Sequence, residues 1–220
     1  MKHFKLRTDL TIEVGEKILY RIEATRDIEK LGVKAGDLGG YIEKEDNLSG
    51  DAWVYDDAWV SGNAWVSGNA HVSGNSWVYG NAWVYDDAWV SGNAFVSGNA
   101  HVSGNAHVSG NALVSGNTHV SGNAHVSGNA LVSGKFEVCG DKIEKENDLI
   151  NITSNSGSYN ITITPNHMKI GCQYHSKTEW FNFTDDEIMK MDGEKAVEWW
   201  KTWKPILKQI CDSFASNKEE

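Results

Sequence analysis

A six-residue phrase, repeated without interruption from about residue 48 to 134, constrains this chain more than any other feature. Each phrase runs Ala, a variable residue, Val, Ser or Tyr, Gly or Asp, Asn or Asp. The aliphatic slot recurs at Leu48, Val54, Val60 and Val66, and onward through Val132 to Val138. The small slot two residues earlier holds Ala52, Ala58, Ala64, Ala70, Ser76 and Ala82, on to Thr118, Ala124 and Ala130. A fixed short period marks a solenoid, in which stacked copies of one unit bury a continuous core. In Ala64-Trp65-Val66, strand alternation turns Ala64 and Val66 inward and Trp65 outward. Ser67-Gly68-Asn69 then makes a corner, because Gly takes positive φ without steric cost and Asn or Asp tolerates it better than most residues. At two corners Asp replaces Gly, in Tyr55-Asp56-Asp57 and Tyr85-Asp86-Asp87. Recurrent Gly and β-branched Val argue against a helix-period reading. One hexad cannot bury its Ala and Val alone, so the short strands must stack at about 4.8 Å spacing.

The phrase Val-Ser-Gly-Asn-Ala-x resembles the hexapeptide repeat of left-handed parallel β-helices, with an aliphatic residue followed four later by a small one. That resemblance implies left-handed coils of triangular section, three hexads each, and about five coils here. Sorted on that basis, the outward residues form three columns. One reads Trp53, His71, Trp89, His107, His125; a second reads Trp59, Trp77, Phe95, Leu113, Leu131; the third reads Trp65, Trp83, His101, His119, Glu137. The second column is wholly apolar and predicts a covered face, with Phe95, Leu113 and Leu131 at an interface.

The cap before the repeat extends the resemblance. Leu19-Tyr20-Arg21-Ile22, then Val33-Lys34-Ala35-Gly36-Asp37-Leu38-Gly39-Gly40-Tyr41-Ile42-Glu43, then Asn47-Leu48-Ser49 and the Asn/Asp-Ala-Trp-Val repeats are similar to a family of phage- and prophage-encoded β-helix proteins. Some members are labelled acyltransferases or likened to polymer-forming proteins. The resemblance implies a fold and a mobile-element origin, but no definite activity. Its own pattern makes 1–47 a β-rich cap, with strands at Thr11–Val14 and Leu19–Ala24 around a turn at Gly15. Capping an exposed solenoid edge suppresses end-to-end association.

From Lys135 the phrase decays, and Phe136 in the small slot is bulky enough to plug the open end of the core. We therefore divide the chain into a cap (1–47), a hexapeptide-repeat β-helix (48–138) and a C-terminal strand-and-helix module (139–220). In that module, 149–153, 159–164 and 168–172 alternate as strands, with a turn at 154–157. Thr184-Asp185-Asp186-Glu187 is a capping box opening a short helix through Met191. A second helix runs from about 194 to 214, and Pro205 should kink or break it. Ala196, Trp199, Trp200, Trp203, Ile206, Leu207 and Ile210 form its apolar stripe. The apolar column of the solenoid or a neighbouring subunit would cover that stripe, which makes Trp199, Trp200 and Trp203 interface candidates. The fold class is mainly β, with a parallel β-helix at its centre and a small α+β module at its end.

Charge narrows the function. The formal net charge is −10, and 46–134 contains no Lys, Arg or Glu. A surface without cations cannot neutralise phosphates, so the repeat is not expected to bind nucleic acid. An acidic DNA mimic, such as an anti-defence inhibitor, would need more than the sparse Asp residues near two corners. The three cysteines, Cys139, Cys172 and Cys211, fit no zinc spacing and read as free thiols in a reducing compartment. Met1 to Arg7 lacks an apolar signal core and no stretch suits a membrane helix, so the expected place is the cytoplasm, the host's if phage-encoded, with virion association left open.

The aromatic slots carry the functional expectation. Trp53, Trp59, Trp65, Trp77, Trp83 and Trp89 stand outward in the first half of the repeat and predict a rigid surface that binds a protein partner or further copies, a homotrimer among them. A glycan-binding rod is an alternative use of the same rings. The enzymatic alternative, acyltransferase-like or metal-dependent, rests on the histidine column positions. His101 with His119 and His107 with His125 would stack in adjacent coils, near enough to share a metal. Against it stand the absence of loops leaving the coils and of any cation in the repeat to hold a coenzyme phosphate. Neither a catalytic residue nor a cofactor is expected.

Overall fold

The computed structural model describes residues 2–134, 137–144, 148–152 and 159–216, the side chains of 214–216 excepted. The described residues fall into two compact units, 1–146 and 147–220.

In the first unit, every hexad is one short strand and one corner. Strands pair in parallel with the strand three hexads later, as in Trp59↔Trp77 and Val60↔Val78, or His101↔His119 and Val102↔Val120. The resulting parallel β-solenoid has about six turns and three sheets. The inward Ala and Val side chains are almost wholly excluded from water, from Ala52 and Val54 to Val126 and Val132. Ser76 and Thr118 take the Ala slot without leaving an orphan hydroxyl: Ser76 Oγ donates to the Ser73 carbonyl at 2.7 Å and Thr118 Oγ1 to that of Ser115 at 2.6 Å. Phe136, expected to plug the core, lies outside the described residues. Stacking continues to Lys142–Ile143, which pair with His125–Val126 one residue ahead of the regular register. The solenoid thus runs past the expected limit at 138, its last step one residue short.

The corners stack as closely as the strands. The corner Gly residues hold positive φ, and a Cβ on Gly110 would lie 2.9 Å from both the N and the O of Gly128 in the next coil. Asp56 (φ 52°) and Asp86 (φ 61°) adopt the same conformation. Each compensates with its carboxylate, which accepts the N–H of the glycine above: Gly74 to Asp56 at 3.1 Å, Gly104 to Asp86 at 3.2 Å. Beside them the corner asparagines form amide ladders, as in Asn93 Nδ2 to Asn111 Oδ1 (3.1 Å) and Asn111 Nδ2 to Asn129 Oδ1 (3.0 Å). Asp87 accepts from Asn69 but has no N–H to pass on, and its charge is met by Lys30 of the cap.

The cap consists of β1 (Phe4–Val14), β2 (Lys17–Ala24) and β3 (Leu38–Ile42). β1 and β2 are antiparallel, with Gly15 in the turn, while β3 pairs in parallel with Trp59–Val60 and so begins one sheet of the solenoid. Gly39 and Gly40 allow that approach, since a Cβ on Gly39 would sit 2.5 Å from the Val54 carbonyl and one on Gly40 2.4 Å from that of Ala58. Arg26 pairs with Asp51, and Tyr55 Oη donates to the Leu31 carbonyl at 2.7 Å. The free edge of β1 carries a bulge between Arg7 and Thr11, a device that discourages strand addition.

The second unit is a four-stranded antiparallel sheet (Ile150–Ile152, Ile161–Ile163, His167–Ile170, Gln173–Ser176) with α1 (Lys177–Asn182) and α2 (Asp185–Ser216). The fourth strand and α1 escaped the sequence reading; α1 opens on its own capping box, Ser176 with Glu179. The Thr184–Glu187 box forms as expected. Asp192 and Gly193 leave helical geometry and separate the two segments of α2, but Pro205 does not break the helix. Pro205 is exposed, so the carbonyl it leaves without an amide partner is on the watered side. The turn expected at 154–157 lies outside the described residues.

Candidate functional site

The outward slots of the solenoid form three ladders of rings. The same register that stacks Val on Val stacks each outward ring on the next. On one face Tyr55, His71, Trp89, His107 and His125 follow one another at 4.0, 4.8, 5.3 and 4.8 Å between centroids, with planes within 25°. On the second, Trp65, Trp83, His101 and His119 succeed each other at 5.4, 5.1 and 4.7 Å. On the third, Trp59, Trp77 and Phe95 stand at 4.0 and 4.8 Å, continued by Leu113 and Leu131. Tyr55 was not foreseen as a ladder member, because it occupies a corner slot and not an outward strand slot.

Burial divides the six expected contact tryptophans. Trp53 is 1% exposed, packed near His3, whose Nε2 lies 2.9 Å from the Ala52 carbonyl. Trp59 is also buried. These two rings anchor the start of the solenoid and drop out of the expected surface. Trp65 and Trp77 are half-buried, and the Trp65 indole N–H donates to Ser49 Oγ. Trp83 and Trp89 remain open, at 42% and 45%. Tyr79, in the corner that precedes Trp83, is exposed as well. The open aromatics therefore belong to a single coil and form a belt around it, not a column along the solenoid.

The interface candidates separate in the same way. Phe95 and Leu113 are half-buried and Leu131 is exposed, so this face keeps an apolar stripe. The C-terminal tryptophans are different. Trp200 is core, 2% exposed, packed with Ile161, Met168, Trp180 and Leu207, and Trp199 and Trp203 pack against that cluster. Their own unit covers the helical stripe, which removes Trp200 from any interface. Ile206, expected within the stripe, is exposed instead.

The histidines meet in pairs on two different faces. His101 lies over His119 and His107 over His125. Burial, and then the neighbouring imidazole, holds the pKa of His101 and of His107 below the usual value; burial does the same for His71, against a weaker opposing pull from Asp56. The lowering favours the neutral imidazole at His71, His101 and His107, which suits stacking. Among the described residues, no group of three or more His, Cys, Asp or Glu side chains is placed to hold a metal ion. The chemistry the ladders offer is apolar and π contact from ring edges.

A family model described as YdcK beta solenoid repeat matches residues 94–109 and 106–122. Comparison with curated proteins finds no match. No helix among the described residues is long and apolar enough to cross a membrane. The repeat match and the stacked parallel coils agree: the chain is a β-solenoid repeat protein.

Proposed function

We propose that the solenoid is a rigid scaffold that associates with protein, a second copy being the first partner to consider, through the aromatic belt of Tyr79, Trp83 and Trp89. The observation that carries this reading is the exposure of Trp83 and Trp89, together with Tyr79, in one coil of the solenoid. Exposed indoles on an immobile backbone lose little entropy on contact, which favours them as interface anchors. The apolar stripe of Phe95, Leu113 and Leu131 supports the same reading. A glycan reading is less well supported. Sugar rings stack on aromatic faces, and Trp89 has His71 against one face and His107 against the other. Only ring edges are left for a partner. The resemblance of the cap to phage-encoded β-helix proteins supports a mobile-element scaffold working inside a host cell.

Light scattering over a concentration series tests the proposal. The wild type should exceed the 24.3 kDa monomer mass, and Trp83→Ser with Trp89→Ser should return it to that mass with unchanged far-UV circular dichroism. An association that survives both substitutions refutes the belt as the contact surface.

A further inference from the structure

A notch lies between the cap and the first corner of the solenoid. Lys2, His3, Arg26, Leu48, Ser49 and Gly50 line it, and its volume is about 310 Å³. The corner amides show what such a place accepts. Each corner glycine turns its N–H towards the coil before it, as Gly68 N stands 2.8 Å from a Cβ built on Gly50. Three of these amides meet a carboxylate there: Gly62 donates to Glu43 at 2.5 Å, Gly74 to Asp56 at 3.1 Å and Gly104 to Asp86 at 3.2 Å. Gly50 has the same φ, +67°, beside +68° at Gly74 and +67° at Gly104. Where a preceding coil would lie, Gly50 has the notch, and among the described residues nothing accepts its N–H. Ser49 Oγ accepts the Trp65 indole N–H at 2.9 Å, which leaves its own O–H to donate. Gly50 is exposed and Ser49 half-buried, so a ligand reaches both.

We infer that this notch is a binding site for a carboxylate of single charge, carried by a small organic acid or by the C-terminus of a peptide. One carboxylate oxygen takes the Gly50 N–H as Glu43, Asp56 and Asp86 take theirs, with the Ser49 hydroxyl beside it. Arg26 gives one N–H to the Asp27 carbonyl and one to Asp51, and a guanidinium has five. Lys2 is held by Glu45 at 2.9 Å and keeps two further donors. The charges of Lys2, Arg26, Glu45 and Asp51 cancel, so directed donors and not net charge provide the attraction. That favours a carboxylate over a phosphate dianion, whose second charge gains nothing there. The volume leaves room for a few carbon atoms beyond the carboxylate.

The test titrates the full ¹⁵N-labelled chain with propionate, propionamide and inorganic phosphate at constant ionic strength. Propionate should shift the Gly50 amide resonance saturably and leave those of Gly62, Gly74 and Gly104, whose acceptors are in place, unmoved. Propionamide should bind at least about tenfold more weakly, as loss of charge-assisted hydrogen bonds implies. Lys2→Gln and Arg26→Gln should each weaken propionate by about threefold, the worth of an exposed charge. Lys2 is exposed, so its variant still reports if the Arg26 variant loosens the cap. Acetyl-glycyl-glycine separates the two sources: tighter binding than propionate supports a peptide terminus, equal or weaker binding a small acid. Non-saturating shifts, equal affinity for propionamide, or tighter binding of phosphate would overturn the assignment.

Discussion

Replacing Gly110 by Ala and by Asp separates two contributions to corner stability. Gly110 holds φ +67°, and an added Cβ would meet the Gly128 N and O at 2.9 Å and its Cα at 3.3 Å. Alanine in the left-handed region costs about 1–2 kcal/mol. The contact adds roughly 1 kcal/mol, since the obstacle is backbone held by the Asn111 N–H to Gly128 carbonyl bond of 2.8 Å and cannot rotate away. We expect Gly110→Ala to destabilise the solenoid by about 2–3 kcal/mol. Gly110→Asp introduces the same Cβ and a larger side chain. Its carboxylate, however, can accept the Gly128 N–H as Asp56 and Asp86 accept those of Gly74 and Gly104. A hydrogen bond to a charged acceptor returns about 1.5 kcal/mol, and Asp tolerates positive φ better than Ala. The larger substitution should therefore be the milder one, by at least ~1 kcal/mol. Urea unfolding followed by tryptophan fluorescence reads the difference as a shift in midpoint at constant slope. If Ala equals or outperforms Asp, the hydrogen-bond explanation of the two Asp corners is wrong.

Other substitutions report on the ladders and the core. Trp53→Ala should cost about 3–5 kcal/mol by emptying a buried site, whereas Trp83→Ser should change thermal stability by under ~1 kcal/mol; comparable losses would contradict the burial contrast. Ser76→Ala removes a hydroxyl already satisfied within its own corner and installs the residue found in most coils, so the melting temperature should hold or rise; a drop of several degrees would show that the Ser73 bond is essential. The pH response has a definite sign. His71, His101 and His107 all have folded pKa values below the usual imidazole value of 6.5, so the unfolded chain takes up protons first as the pH falls. Their contribution is fully present above 6.5 and is lost as the pH drops from there through the folded values. Urea midpoints should fall between pH 7.5 and 5.5, less so in His101→Gln with His107→Gln; a rise on acidification would contradict the ladder electrostatics.

The hexad carried most of the architecture because it constrains each residue twice, by side-chain alternation and by corner geometry. Val66 and Gly68 can be placed from the phrase alone, and the register of three hexads per turn follows from the resemblance. Exposure was harder to read. Trp53 and Trp89 occupy the same slot of the same phrase on the same face, and only the docking of the cap around His3 makes one a core residue. That docking depends on Gly39 and Gly40, whose role is visible only once the Val54 and Ala58 carbonyls lie against them. The C-terminal helix misled for a related reason. Its stripe was legible, but the fourth strand has no strong pattern and α1, whose Trp180 packs on Trp200, is only six residues long, so a ready cover was mistaken for a missing one.

The step of three hexads per turn has a genetic corollary. The Tyr55-Asp56-Asp57 and Tyr85-Asp86-Asp87 segments share near-identical flanks, thirty residues apart. Five hexads are not a whole number of turns, so the copies occupy different corners: one follows the face of Trp53, the other that of Trp83. Gain or loss of three hexads lengthens or shortens the stack and leaves each face its own chemistry. Gain or loss of one or two hexads instead rotates everything downstream by a third or two thirds of a turn, exchanging histidine, tryptophan and leucine faces while every inward Ala and Val still finds its partner. Slippage between such similar repeats can therefore redraw the exterior in a single event without disturbing the interior.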